Sequence, residues 1–175
     1  MWWRSPAFVL VALAALAGFG LSACGFQPLY GSGSTTASGA KLAETMSAVE
    51  ITPIPGRVGQ KLRNELIFAN TGGNYAADSR YRLKIAIRER VTNQLVQITG
   101  DARGQVYQLE ANYKLVSLAN NKVIYEGTAI SRAAYNRYQE IFANVRARYD
   151  AEDRAAKTIA ESIRTQVAAF LATSA

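Results

Sequence analysis

Arg80, Arg82, Lys84, Arg88 and Arg90 recur at even intervals through one stretch of this chain of 175 residues. On an extended backbone alternate residues share a side about 6–7 Å apart, so the five cations form one row, interrupted at Ala86. A row of this kind offers bidentate guanidinium donors to phosphate or carboxylate. The other chemistry-bearing residue is Cys24, the only thiol in the sequence. A thiolate is a strong soft nucleophile and a natural acceptor for a transferred lipid.

Histidine is absent. Without imidazole, and with Cys24 committed elsewhere, Ser-His or Cys-His catalysis and the usual His or Cys metal sites drop out by inventory. Thirteen acidic residues leave carboxylate-pair hydrolysis open in principle, but no pair stands out by position. The stretch Gly56-Arg57-Val58-Gly59-Gln60-Lys61 fails the spacing of a phosphate loop, because Leu62 follows the lysine. It reads as the start of a helix.

The position of Cys24 explains why one thiol is kept. Residues 1–23 have a positive start at Arg4, an apolar run from Ala7 to Leu21 and small residues before the cysteine, the pattern of a secretory signal peptide. The competing reading is an uncleaved anchor over Pro6 to Ala23, weakened by Gly18 and Gly20. Leu21-Ser22-Ala23-Cys24 resembles the bacterial lipobox, which directs cleavage before the cysteine and attachment of acyl chains to it. Several chains, at about 0.8 kcal/mol per buried methylene, hold a protein on a bilayer where one would not. A single cysteine also excludes an intramolecular disulfide, so the core alone must stabilise the fold.

Residues 24–40 then form the lipidated N-terminus and a small, polar tether, "GSGSTTASGA" from Gly31 to Ala40. One folded domain is expected over 41–175. Without Arg4 the balance is 19 basic to 13 acidic residues. An exported basic protein needs an anionic neighbour, and its location makes nucleic acid the least suitable one.

Alternation and helical spacing predict the elements that position the cationic row. Ala48 to Thr52 reads as a short strand stopped by Pro53 and Pro55. Val58, Leu62 and Leu66 mark a helix from Arg57 to Ala69. Tyr81, Leu83, Ile85, Ile87 and Val91 face a core from the strand carrying the cations, with Leu95 to Ile98 as a possible extension. A turn at 100–104 leads to a second strand through Tyr107, Leu109, Ala111, Tyr113 and Leu115. Asn120-Asn121 turns into a third partner over Val123 to Ile130. Asp150 and Asp153 resemble a cap for a helix carrying Ala156, Ile159, Ile163, Val167 and Phe170, with a start as early as Ile141 also open.

The order β-α-β-β-β-α predicts an α+β two-layer sandwich, with about four mostly antiparallel strands and two helices on one face. Two readings of the other face stand equal. One is a phosphate-binding stripe; the other is a solvated face or charged edge, with Glu110 or Glu126 pairing across strands. The strand tyrosines are expected in the core.

Cys24-Gly25-Phe26-Gln27-Pro28-Leu29-Tyr30-Gly31 is similar to the segment with which mature members of LptE, the lipopolysaccharide-assembly lipoprotein family, begin. Softer likenesses are Ile51-Thr52-Pro53-Ile54 leading into Arg57 to Leu66, Tyr81-Arg82-Leu83, and the tail from Ala151 to Phe170. The resemblance implies a non-enzymatic protein on the periplasmic face of the outer membrane, anchored in its inner leaflet through Cys24. It further implies that the protein plugs and supports assembly of the β-barrel LptD and binds lipopolysaccharide. No cofactor is implied beyond the covalent lipid. By the sorting rule of enteric bacterial lipoproteins, Gly25 after the cysteine, rather than aspartate, implies passage to the outer membrane. The alternatives are a different periplasm-facing lipoprotein acting as a structural or anionic-glycan-binding module or, more remotely, a carboxylate-dependent hydrolase.

Overall fold

A computed structural model describes residues 35–36, 39–73, 78–96, 102–137 and 140–174. Cys24, the signal segment and the first part of the tether lie outside the described residues. The elements are α1 (Leu42–Ser47), β1 (Val49–Ile51), α2 (Arg57–Thr71), β2 (Tyr81–Val96), β3 (Ala102–Ser117), β4 (Val123–Asn136) and α3 (Ile141–Ser174). They form a two-layer α+β sandwich: a four-stranded sheet in the order β1-β2-β3-β4, with helices on one face.

Side-chain alternation builds the three long strands into an antiparallel meander, paired from Tyr81↔Ser117 to Val96↔Ala102 and from Gly104↔Asn136 to Val116↔Val123, with register shifts between Asn93 and Val96 and between Leu115 and Val116. The turn into β4 carries Asn121 at φ 55°, a conformation Asn tolerates better than most residues. β1 joins β2 in parallel, but only Val49, Glu50 and Ile51 take part, opposite Tyr81, Arg82 and Leu83. Beyond Leu83, β2 has no strand neighbour on that side among the described residues.

Helix α2 begins where Gly56 adopts φ 84° after the two prolines, and ends where Gly72, at φ 67°, donates its amide hydrogen to the Phe68 carbonyl at 2.9 Å. This left-handed C-cap is a glycine position for steric reasons. Gly59 faces the backbone of Ile54 so closely that an added Cβ would lie 2.9 Å from its carbonyl oxygen. The glycines of this stretch therefore start and seat a helix, and cradle no phosphate.

The core is the common inner surface of the layers: Leu62 and Leu66 from α2, Leu83 from β2, Leu109 and Leu115 from β3, and Ile159, Ile163 and Leu171 from α3, all essentially inaccessible. Tyr107 and Tyr113 are equally buried, as expected of core tyrosines. Tyr113 donates to Gln166 Oε1 at 2.6 Å, and Tyr125 stacks on Phe170 with centroids 4.8 Å apart. These contacts and the Arg154 guanidinium on the Ala134 carbonyl at 3.0 Å seat α3 on β3 and β4.

Three features depart from the sequence expectation. Helix α1, a single turn and a half without a side-chain cap, adds a third helix; Leu42 and Met46 bury it against the core. Upstream of it, Thr36 is buried and its amide hydrogen bonds the Ala40 carbonyl at 2.8 Å. Asp150 and Asp153 cap nothing: both lie inside α3, where Asp150 accepts from Arg154 at 2.8 Å and Asp153 from Arg57 at 3.0 Å. Among the described residues, no helix is long and apolar enough to cross a membrane.

Candidate anion-binding face

The polar phase of the meander points away from the helices, and among the described residues nothing covers it. It presents Arg82, Lys84, Arg88 and Arg90 from β2, Lys114 from β3 and Arg132 from β4. Against these six cations stand three carboxylates of the same face, Glu50, Glu110 and Glu126. Four of the five cations read from the sequence thus share a strand face. Arg80 is exposed in the segment before β2, where its amide hydrogen bonds the Ala48 carbonyl at 2.9 Å.

Pairing divides the row. Arg82 Nε donates to Glu50 at 2.9 Å, because the parallel register of β1 sets Glu50 opposite it. Lys114 meets Glu126 at 3.2 Å, and Arg132 donates to Gln108 at 3.1 Å. Glu110 lies opposite Arg88 in register but accepts a hydrogen bond from Asn112 at 3.2 Å. Lys84, Arg88 and Arg90 have no ion pair among the described residues. Lys84 also lies opposite Lys114, a like-charge pair that disfavours itself unless an anion is shared. Three free donors in line on an exposed strand can coordinate a multiply charged anion. Exposed pairs such as Lys114–Glu126 add little stability, so such an anion can compete with them.

Sequence reading missed Lys114 and Arg132. Their signal was present, since each falls on the polar phase of its own strand, but only the observed register sets Lys114 beside the β2 row and Arg132 one strand further on the same face.

On the opposite side of β2 the layers open into a crevice of about 380 Å³, lined by residues that include Arg57, Glu89, Val145, Arg148, Tyr149 and Glu152. Its floor is a charge network. Glu152 is buried, and its two oxygens accept from Arg57 and from Arg148 Nε, the latter at 2.8 Å. Burial pulls the Arg57 pKa down, but the hydrogen bonds to Glu152 and Asp153 outweigh it and raise it. The same guanidinium lies 4.3 Å above the Tyr149 ring. Tyr107 donates to Glu89 at 2.9 Å, and burial together with that carboxylate pushes its hydroxyl pKa far above the usual phenol value. These acidic groups are tied to partners, and among the described residues no group of three His, Cys, Asp or Glu could hold a metal.

No family model matches the chain, and no curated protein matches it in sequence. Solved structures do. A protein of Caulobacter crescentus CB15 described as a lipoprotein is 20% identical, covers 75% of this chain and 96% of its own, and superposes with a TM-score of 0.64. Lipoprotein B of Nitrosomonas europaea is 18% identical, covers 70% of this chain and 82% of its own, with a TM-score of 0.53. At these identities the likeness concerns architecture: the chain has a fold found among bacterial lipoproteins.

Proposed function

We propose that this chain is an outer-membrane lipoprotein of the LptE kind, held on the periplasmic face by acyl chains on Cys24. In this reading it binds lipopolysaccharide through its open sheet face and supports the barrel LptD from within. The observation that carries the reading is the run of Lys84, Arg88 and Arg90 without ion pairs on an uncovered sheet, in a fold shared with lipoproteins. A phosphorylated glycolipid supplies the multiple negative charge that such a row lacks. A plug with one charged sheet face also suits the polar lumen of a large barrel. In this reading the chain acts by binding and not by turnover, since Glu152 of the crevice is engaged by Arg57 and Arg148 and Glu89 by the Tyr107 hydroxyl.

The test uses membranes from cells expressing the tagged chain. Affinity capture recovers a β-barrel protein together with lipopolysaccharide, and Lys84→Glu with Arg88→Glu reduces the bound lipopolysaccharide in a salt-sensitive manner. Capture without any barrel protein, or equal glycolipid on the folded variant, overturns the reading.

A further inference from the structure

Helix α3 is buried along most of its length but not in its first turns. Its core-facing stripe runs Leu171, Val167, Ile163, Ile159 and Ala155 down to Glu152, all buried, and the same face continues through Tyr149, Val145 and Ile141. There the covering ends: Ile141 is 82% exposed, Phe142 78%, Tyr149 42% and Val145 41%. These turns reach across to β2, since Val145 and Glu89 line the same crevice. Val91, on the inward phase of β2, is 39% exposed for the same reason. Four large apolar side chains bunched at the start of one helix form a patch of the kind that marks a binding surface.

Arg88 and Arg90, without ion pairs among the described residues, flank Glu89 on the other side of the same strand, and no strand among the described residues covers the edge of β2 between the two sides. We propose that an anionic amphiphile straddles this bare edge, its phosphates on Arg88 and Arg90 and an acyl chain laid against Val91, Val145, Ile141 and Phe142. The inference rests on the reading above and adds to it the place of the hydrocarbon. Charge selects this occupant: along β2, Arg90 adjoins Val91 of the apolar patch and Arg88 lies three residues from it, so a head and a tail joined covalently satisfy both at once. A second copy of the chain is a poor occupant, because about three helical turns are too small a surface for a stable dimer.

The experiment compares two probes on the mature chain, lipopolysaccharide and the same material stripped chemically of its acyl chains. Phe142→Ser with Val145→Ser alters exposed positions, and an unchanged melting temperature confirms the fold. The expected result is at least tenfold weaker binding of the acylated probe and unchanged binding of the stripped one. Equal binding of the acylated probe by variant and parent overturns the acyl site and leaves the anion face standing, provided Arg88→Glu still weakens both probes. Failure of both probes to bind the parent chain removes the anion face itself. A photo-crosslinker at position 142 should recover lipid; recovery of a polypeptide in its place also overturns the inference.

Discussion

Arg57, in the first turn of α2, reaches Glu152 in the middle of α3, and Arg148 grips the same carboxylate from one turn away. The pairing locks the two helices together at the end of the sandwich where the crevice opens. Its energetics follow from unequal burial: the Glu152 side chain is 5% exposed, while Arg57 and Arg148 are 42% and 53% exposed.

Removing the carboxylate frees two guanidinium groups that reach water, so Glu152→Ala should cost about 2 kcal/mol in urea denaturation. Removing both arginines leaves a buried, unpaired charge. Arg57→Ala with Arg148→Ala should therefore cost about 3–5 kcal/mol, more than the two single changes added. Strict additivity in the double-mutant cycle would show that the network acts as separate exposed pairs.

Gly127 on β4 lies under the Tyr113 ring, where an added Cβ would sit 2.4 Å from the hydroxyl oxygen. Gly127→Ala must push the ring away from Gln166, and a loss of about 1–3 kcal/mol is expected. If the thermal midpoint of the alanine variant equals that of the parent, the ring has room that the packing denies.

Burial raises the hydroxyl pKa values of Tyr107, Tyr113 and Tyr135 above the free value of 10.0. A raised folded-state pKa means that the unfolded chain loses its protons first. The stabilising contribution is complete below pH 10 and falls as pH rises through the folded values. Denaturation midpoints should thus hold up to about pH 10 and then decline. Tyr107→Phe should make that decline shallower; an unaltered slope would mean that Tyr107 ionises as readily folded as unfolded.

The division of the cationic row predicts opposite responses in stability. Lys84→Gln relieves a like-charge pair with Lys114 and should leave stability unchanged or raise it by a few tenths of a kcal/mol. Arg82→Gln removes the contact with Glu50 and should lower it by up to about 1 kcal/mol. Urea midpoints of the two variants decide the matter, and a larger loss at Lys84 would contradict the assigned pairing.

The meander was legible because its signal is local: Leu83, Ile85, Tyr107, Leu109 and Tyr113 repeat every second residue, and the cations fill the other phase. The partners of those cations were not legible. Glu126 was foreseeable as a cross-strand partner, but it takes Lys114, and Glu50 holds Arg82 only because β1 docks beside β2 from a distance of 32 residues. Helix α1 escaped for a different reason, since six residues are too few for a periodic stripe and its ends carry no side-chain cap. Asp150 and Asp153 mimicked a cap; the apolar face of α3 in fact runs on past them to Ile141.

The brevity of β1 also bears on how the chain assembles. β2, β3 and β4 follow one another with short connections, so their pairing closes only small loops and can form early. The parallel seam must wait until α2 has folded back, and three residue pairs are all that then close it. Opening should begin at that seam, and backbone amides of β1 should exchange with solvent sooner than those of central β3.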